Sequence, residues 1–272
     1  MCEKYFELCV YPSAKPALFS DFLLEFTDAV EESGGRLIVR SCEPLDIVEF
    51  GVKEYAKKLG IETKTTISQK TNEDWVKKYQ ESVQPVEVGI FYIRPSWKEP
   101  KKGFTDIVIN PALAFGSGHH ESTYGCLLML QRYTDIGSRM LDVGTGSGIL
   151  AIAASKLGAI ADVCDTDAQA LNAAEENFSK NGVKYKNAWI GSANEAKGYA
   201  NGIKYNIITA NIIADILLAI KNDLINALNE EGILILSGIL DKYVGQIREH
   251  YAALSLIDEF RENEWHTLVY KR

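Results

Sequence analysis

Cysteine is scarce in this chain of 272 residues, and the spacing of the few cysteines is not typical of a domain stabilised by disulfides or by zinc. The cysteines are odd in number, scattered and without a C-x-x-C pair, so neither a disulfide framework nor a zinc site is indicated. We expect them to be reduced and to fill small apolar positions, as in a cytoplasmic protein. The five cysteines stand at positions 2, 9, 42, 126 and 164.

Long apolar runs and net positive charge are also lacking. No stretch of eighteen uninterrupted apolar residues is present, so we expect no transmembrane helix, and the start of the chain shows no pattern typical of a signal peptide. The net charge is −8. Because phosphate binding needs clustered Lys and Arg, this charge disfavours direct nucleic-acid readout and favours a basic protein or a small molecule as partner.

A glycine-rich turn between a predicted strand and a predicted helix is the most informative segment. An apolar run over 139–143 precedes three glycines at alternate positions, and apolar residues recur at helical spacing over 149–157. Glycine has no Cβ, so a nucleotide-like ligand can approach the backbone there. The spacing is G-x-G-x-G, and Ile149 stands where the G-x-G-x-x-G turn of a dinucleotide site has its third glycine. The turn therefore predicts a nucleotide-like cofactor other than a dinucleotide.

Two carboxylates, Asp165 and Asp167, follow the next predicted strand. Asp165 lies about twenty positions after the glycine turn, where an acidic residue suits the hydroxyls of a ribose diol. Asp167 directly precedes the helix predicted over 168–180, and we expect it to cap that helix. Helix capping is also the alternative role for Asp165.

Asn211 follows the strand predicted over 205–210. Ligands of open α/β sheets bind at the carboxyl ends of strands, so we expect Asn211 to face the cofactor. Its amide carbonyl can accept a hydrogen bond from a substrate N–H and so orient the nitrogen lone pair for in-line displacement. The alternative is that Asn211 caps the helix predicted over 213–228.

The segment 110–123 combines small residues, one aromatic residue and two adjacent histidines ahead of a predicted helix. A long loop with a Gly-Ser-Gly core is typical of a binding loop or a mobile one. Two adjacent histidines are too few for a metal site, and the other two histidines stand far along the chain, so we predict no metal. Thr123 either caps its helix or contacts a cofactor carboxylate, and composition does not separate these roles.

The order of the predicted elements indicates two α/β domains. Residues 1–67 read as a small sandwich, with helices at 15–32 and 47–59, and residues 68–100 as a connecting segment with a polar helix at 72–81 and a strand at 86–93. Strands and helices alternate over 101–272, which predicts a doubly wound, mostly parallel sheet. The elements predicted for its core are 139–143, 149–157, 160–164, 168–180, 186–190, 205–210, 213–228, 232–237 and 241–253, with final strands near 254–260 and 265–270.

Several motifs together resemble one family, the bacterial methyltransferases of large-subunit ribosomal protein eleven. The glycine turn is similar to motif I of class I methyltransferases, which bind S-adenosylmethionine. The resemblance covers roughly 70–272. The segments that carry it are 110–120, 142–154, 210–214 and 236–240, with Asp74–Trp75, Gln80 and 93–97 similar to the linker and the strand after it.

The resemblance implies a class I fold, S-adenosylmethionine as cofactor, and N-methylation of lysine side chains and of the α-amino group of that ribosomal protein. It also implies that the N-terminal domain recognises this substrate. By position it assigns cofactor contacts to Thr123, Gly144, Asp165 and Asn211, to which we add Gly146 from the turn and Phe115 and Gly116 from the loop. The chain departs from the usual family pattern at Asn110, Ala112, Ser117 and Asp215.

The implied mechanism is direct displacement. A lysine ammonium, with an ordinary pKa near 10.4, must lose a proton before it can attack. The motifs contain no obvious strong base, so we expect desolvation and the nearby sulfonium to lower this pKa and water to take the proton. Asn211 is then the catalytic residue that positions the amine without deprotonating it.

Two other functions stay open from the sequence alone. One is a methyltransferase of small molecules or of planar amides and bases, which a proline and an aromatic residue after Asn211 would favour; Ile212 and Ile213 stand there instead. The other is a non-catalytic cofactor-binding protein, which a degraded turn or a missing distal acid would favour.

Overall fold

The computed structural model describes residues 4–24, 26–27, 29–71, 83–110 and 120–272. The chain divides into two compact units, Met1–Val83 and Gln84–Arg272. The helix predicted over 72–81 and the loop residues Phe115 and Gly116 lie outside the described residues. Within the described ranges, no helix has the length and apolar character needed to cross a membrane.

The described part of the first unit is a four-stranded antiparallel sheet with two helices. Its elements are β1 (Lys4–Pro12), α1 (Pro16–Leu24), β2 (Glu31–Ser33), β3 (Arg36–Ser41), α2 (Asp46–Leu59) and β4 (Thr63–Thr71). The sheet has the order β2-β3-β1-β4. Buried side chains of strands and helices form one core, which includes Leu8, Phe19 and Val52.

The helix predicted over 15–32 is wrong in its second half. The helix ends at Leu24, and Glu31–Ser33 is a strand that pairs with β3. Gly34 and Gly35 both have positive φ and form the hairpin turn between these strands. The two glycines follow a hairpin strand here, whereas the sequence pattern predicted that they end a long helix.

The second unit contains a seven-stranded sheet. The elements of this unit are β5 (Val86–Val88), β6 (Phe91–Arg94), β7 (Thr105–Val108), α3 (Glu121–Tyr133), β8 (Arg139–Val143), α4 (Ile149–Lys156), β9 (Ile160–Asp165), α5 (Ala168–Lys180), β10 (Ala188–Ile190), α6 (Ala196–Tyr199), β11 (Tyr205–Asn211), α7 (Ala214–Ala219), α8 (Lys221–Ala227), β12 (Leu228–Leu240), α9 (Val244–His250), β13 (Ser255–Glu262) and β14 (Trp265–Lys271). The sheet has the order β10-β9-β8-β11-β12-β14-β13. The strands from β10 to β12 are parallel and the last two pairs are antiparallel.

This topology sets the position of the site. Strand β8 is paired with β9 on one side and β11 on the other, so the strand order reverses next to the glycine turn. The carboxyl ends of parallel strands at such a switch point form the ligand crevice of doubly wound sheets. The predicted α/β class with a mostly parallel sheet is therefore confirmed.

Three elements near the C-terminus differ from prediction. The helix predicted over 213–228 is two helices, α7 and α8, separated at Ile220, which leaves the helical ψ range. Strand β12 begins at Leu228, four residues earlier than predicted, and passes through Glu231 with a positive φ. The helix predicted over 241–253 is a 3₁₀ turn followed by the short α9.

Strands β5 and β6 pack in the core of the second unit. Val88, Phe91 and Ile93 are buried there beside Leu127 of α3. These residues fall in the predicted connecting segment 68–100, where one strand was predicted over 86–93. That prediction is wrong in one respect: Gly89 has a positive φ and turns the chain, so β5 and β6 are two antiparallel strands. The assignment of recognition to the first unit and catalysis to the second stays a prediction.

Among the cysteines that the structure describes, Cys42 differs from expectation. Cys9, Cys126 and Cys164 are free and buried, whereas Cys42 is disulfide-bonded. The expectation that all five are reduced is therefore wrong for Cys42, because spacing along a sequence does not report proximity in space.

Candidate active site

The glycine turn follows β8 and is held by its neighbour β9. The backbone N–H groups of Gly144 and Thr145 donate to the carbonyl of Cys164, at 2.9 and 3.1 Å. Gly144 has a φ of 71°, and a Cβ added there would lie 2.5 Å from Cγ2 of Ile212. Glycine is thus required at this position both for its conformation and for the close approach of Ile212.

Asp165 lies at the end of β9, directly across from the turn. Its Oδ2 accepts a hydrogen bond from the backbone N–H of Gly146 at 2.9 Å, and its Oδ1 accepts one from the N–H of Asp167 at 3.0 Å. A carboxylate has about four acceptor positions, so acceptor capacity remains for a diol. Asp167 caps α5 through the N–H of Gln169, as predicted. Asp165 therefore does not cap α5, which was the alternative role for it.

Asp142 stabilises the turn from within the sheet. It is buried, and it accepts hydrogen bonds from the hydroxyls of Thr145, at 2.8 Å, and Thr209 of β11, at 2.6 Å. Burial raises the pKa of Asp142 to about 6, and the two hydroxyls oppose that rise. This carboxyl ties β8, the turn and β11 together beneath the site.

Asn211 and Thr123 meet from distant parts of the chain. The amide nitrogen of Asn211 donates to the hydroxyl of Thr123 at 3.2 Å. Neither side chain caps a helix: α3 is capped by His120, and α7 begins after Ile213 without a side-chain cap. Both capping alternatives from the sequence are therefore wrong. Among the described residues, no donor is bonded to the amide carbonyl oxygen of Asn211, which can therefore accept a hydrogen bond.

A cavity of about 560 Å³ brings the described candidate residues together. Its lining includes Thr123, Gly144, Gly146, Asp165 and Asn211. A cavity of this volume is in the range for small-molecule and cofactor sites. These five residues come from four separate segments of the sequence, and the fold places all five around one cavity.

Other residues that line the cavity were missed at the sequence level. Gly191 and Ser192 directly follow β10, so the strand-end rule used for Asn211 would have found them. Of the remaining lining residues, His120, Ile213 and Gly238 lie in segments that carry the family resemblance, but the sequence analysis gave them no role. Ile216, Ile220 and Trp265 come from segments with no recognised motif for ligand binding.

The residues present fit S-adenosylmethionine. The turn provides a cradle in which a Cβ at Gly144 has no room, and Asp165 has acceptors left for ribose hydroxyls. Apolar side chains such as Leu150 and Ile216 line other parts of the cavity. Within the described parts of the chain, no group of three or more His, Cys, Asp or Glu residues could hold a metal ion.

Comparison with known proteins decides the family. The profile of the family described as ribosomal protein L11 methyltransferase (PrmA) matches residues 42–272. The chain is 47% identical to the ribosomal protein L11 methyltransferase of a Nitratiruptor species, over 97% of this chain and 95% of that protein. It is 43% identical to the protein of the same name from Campylobacter fetus subsp. fetus, over 100% of this chain and 98% of that protein.

The chain belongs to the ribosomal protein L11 methyltransferase family. A crystal structure described as ribosomal protein L11 methylase from Lactobacillus delbrueckii subsp. bulgaricus is similar as well. That structure is 32% identical, with a TM-score of 0.64, and the match covers 70% of this chain and 99% of the other. Membership in the L11 methyltransferase family confirms the predicted family, the class I methyltransferase fold and S-adenosylmethionine as the methyl donor.

Proposed function

We propose that the chain transfers methyl groups from S-adenosylmethionine to lysine side-chain amines and the N-terminal α-amine of ribosomal protein L11. The observation that carries the proposal is the pairing of Asn211 with Thr123 in the same cavity as the glycine turn and Asp165. A site of this kind holds a cofactor on one side and presents an amide carbonyl to a nitrogen nucleophile on the other.

The cofactor half of the site consists of the turn and the end of β9. S-adenosylmethionine supplies an electrophilic methyl group on a sulfonium. We assign Gly144 and Gly146 to close backbone contact and the free acceptors of Asp165 to the ribose hydroxyls. The Gly146 N–H donates to the Asp165 carboxylate and so restricts its rotation, which lowers the entropic cost of binding.

The amine half of the site depends on Asn211. Thr123 accepts from the Asn211 amide nitrogen, which fixes the rotation of the amide group. The carbonyl oxygen can then accept an N–H from the neutral amine and orient the nitrogen lone pair. Asn211 carries no charge and does not act as a base, so the proton goes to water as the ammonium is desolvated.

The first unit is assigned to recognition of the ribosomal protein. The family profile begins at residue 42, but the relatives from Nitratiruptor and Campylobacter match nearly the whole chain. A separate α/β unit with its own core supports a separate binding role. We assign the protein to the cytoplasm, where ribosomal proteins are synthesised.

One experiment tests the proposed function. The protein is incubated with methyl-labelled S-adenosylmethionine and a ribosomal extract from cells that lack this methyltransferase, and the labelled component is identified. We expect label in a single protein band that mass spectrometry identifies as L11. Label in ribosomal RNA or only in a small molecule would contradict the proposal.

A further inference from the structure

The Thr123–Asn211 pair joins two elements that are far apart in sequence, so the surrounding fold must set the distance between them. Thr123 lies in the first turn of α3, and Asn211 is the last residue of β11. The hydrogen bond between the two side chains is 3.2 Å long, which is near the upper limit for a good hydrogen bond. Small displacements of either element would break it.

Strand β12 contacts both elements at one irregularity. The pairing of β12 with β14 shifts register between Leu236 and Ile239, so Ser237 and Gly238 lie in a bulge. Bulges redirect side chains and backbone at the ends of sheets and are common next to active sites. We call these two residues the Ser237–Gly238 bulge.

The Ser237 hydroxyl reaches the first turn of α3. Its Oγ lies 3.0 Å from the carbonyl oxygen of Ser122, the residue that directly precedes Thr123, and 2.8 Å from the hydroxyl of Thr267 on β14. A second carbonyl oxygen, that of His266, lies farther away at 3.3 Å. Ser237 has one hydroxyl proton, so when it donates to the Ser122 carbonyl, Thr267 donates to Ser237. Ser237, Ser122 and Thr267 are all buried, so water cannot replace these bonds readily.

The same bulge also fixes Asn211. Ser237 is the register partner of Asn211 in the parallel pairing of β11 with β12. Gly238 has a φ of 79°, and a Cβ there would lie 2.6 Å from the carbonyl oxygen of Ile212, the residue after Asn211. The backbone of the bulge therefore packs directly against the backbone that carries the Asn211 side chain.

We propose that Ser237 is a positioning residue for the methyl-accepting amine, acting through the bulge to set the distance between Thr123 and Asn211. The inference rests on the proposed function, because it assumes that Asn211 orients that amine. Ser237 does not touch the reacting atoms. Its hydroxyl holds α3, its backbone holds β11, and the glycine turn and Asp165 are held by other bonds.

The test is Ser237→Ala, with Ser155→Ala as the matched control. Ser155 also donates its hydroxyl to a backbone carbonyl, that of Ala151, but it lies away from the Thr123–Asn211 pair. We expect kcat for L11 methylation to fall about 10- to 100-fold in Ser237→Ala, the loss expected from a misplacement of about 1 Å. The dissociation constant of S-adenosylmethionine should stay within about twofold of wild type, and Ser155→Ala should keep both values.

A second readout uses the ligand-free protein. Solvent exchange of the Asn211 side-chain amide protons, followed by nuclear magnetic resonance, should be faster in Ser237→Ala than in wild type and unchanged in Ser155→Ala. Ser237→Cys, which keeps a weak donor of similar size, should recover part of the lost kcat. If Ser237→Ala does not fold, Thr267→Val, which removes the hydroxyl that supports Ser237, replaces it in both measurements.

Two results would overturn the inference. The first is a kcat of Ser237→Ala within about twofold of wild type, together with unchanged exchange of the Asn211 amide protons. The second is a loss of kcat in Ser237→Ala that is matched by an equal loss of cofactor affinity, which would indicate that the whole site is disrupted. Failure of the proposed function gives a different result, because the wild-type protein itself would then not methylate L11.

Discussion

The carboxylate of Asp165 accepts a hydrogen bond from the backbone N–H of Gly146, with an oxygen–nitrogen distance of 2.9 Å. This bond joins the glycine turn after β8 to the end of β9. The two sequence features that predicted a cofactor, the turn and the distal acid, are thus one structural unit.

Substitution of Asp165 should weaken cofactor binding selectively. Asp165→Ala removes acceptors for charge-assisted hydrogen bonds, and we expect a loss of about 1.5–3 kcal/mol in binding free energy, measured by titration calorimetry. Asp167→Asn is the control, because Asn also caps helices well and α5 should stay intact. Equal affinity in Asp165→Ala and wild type would reject Asp165 as the ribose ligand.

Gly144→Ala should weaken cofactor binding in addition to straining the backbone. Gly144→Ala and Gly137→Ala both place Ala at a positive φ, which costs about 1–2 kcal/mol of stability. A Cβ at Gly137 meets nothing within 4 Å, whereas one at Gly144 meets Ile212. We expect both variants to lose stability through backbone strain, but only Gly144→Ala to bind cofactor at least about tenfold more weakly. Unfolding in urea and cofactor titration separate the two effects, and equal affinity in both variants would be inconsistent with the cradle.

The buried Asp142 predicts a specific pH dependence of stability. Its pKa is raised from 3.8 to about 6 in the folded chain. Between pH 3.8 and about 6, the Asp142 carboxyl keeps a proton in the folded chain that it has released in the unfolded chain. The contribution of this proton to the free energy of unfolding is present below pH 3.8 and is lost as the pH rises through about 6. The expected change is about 3 kcal/mol. Urea unfolding of wild type and Asp142→Asn should show the stability of wild type falling by that amount relative to the variant between about pH 3 and pH 7. A difference that does not vary with pH would contradict this assignment.

The second unit should fold and bind cofactor without the first. Its core residues, including Val88 and Phe91, all lie after position 84. We expect a chain that begins at Gln84 to bind S-adenosylmethionine with near wild-type affinity in calorimetry. The same chain should methylate L11 far more slowly, because the target amine would no longer be held near the methyl group. Full activity on L11 from this shorter chain would contradict the recognition role of the first unit.

The glycine turn and the Asp167 cap could be predicted because each depends on residues close together in sequence. Asp165 could be predicted from its spacing to the turn, and the parallel sheet from the alternation of strands and helices along the chain. The end of α1 and the start of β12 could not be predicted. Gly34–Gly35 are compatible with a helix end as well as with a hairpin turn, and the local sequence does not indicate the positive φ of Glu231 within a strand. The roles of Thr123 and Asn211 stayed ambiguous for another reason. Their contact spans 88 positions, and only the fold shows that they bind each other and not the ends of their helices. Ser237 is a buried residue in a bulge, and nothing in its local sequence indicates contact with α3.

The most direct measurement of the central claim is the rate of methyl transfer to purified, unmethylated L11 by Asn211→Ala, beside its affinity for S-adenosylmethionine. If Asn211 orients the amine, single-turnover transfer followed by mass spectrometry of L11 should be at least about 100-fold slower than in wild type. Calorimetry should show that cofactor affinity changes only a few-fold, because Gly144, Gly146 and Asp165 are intact. A transfer rate within about twofold of wild type would contradict the claim that this cavity is where the methyl group meets the amine.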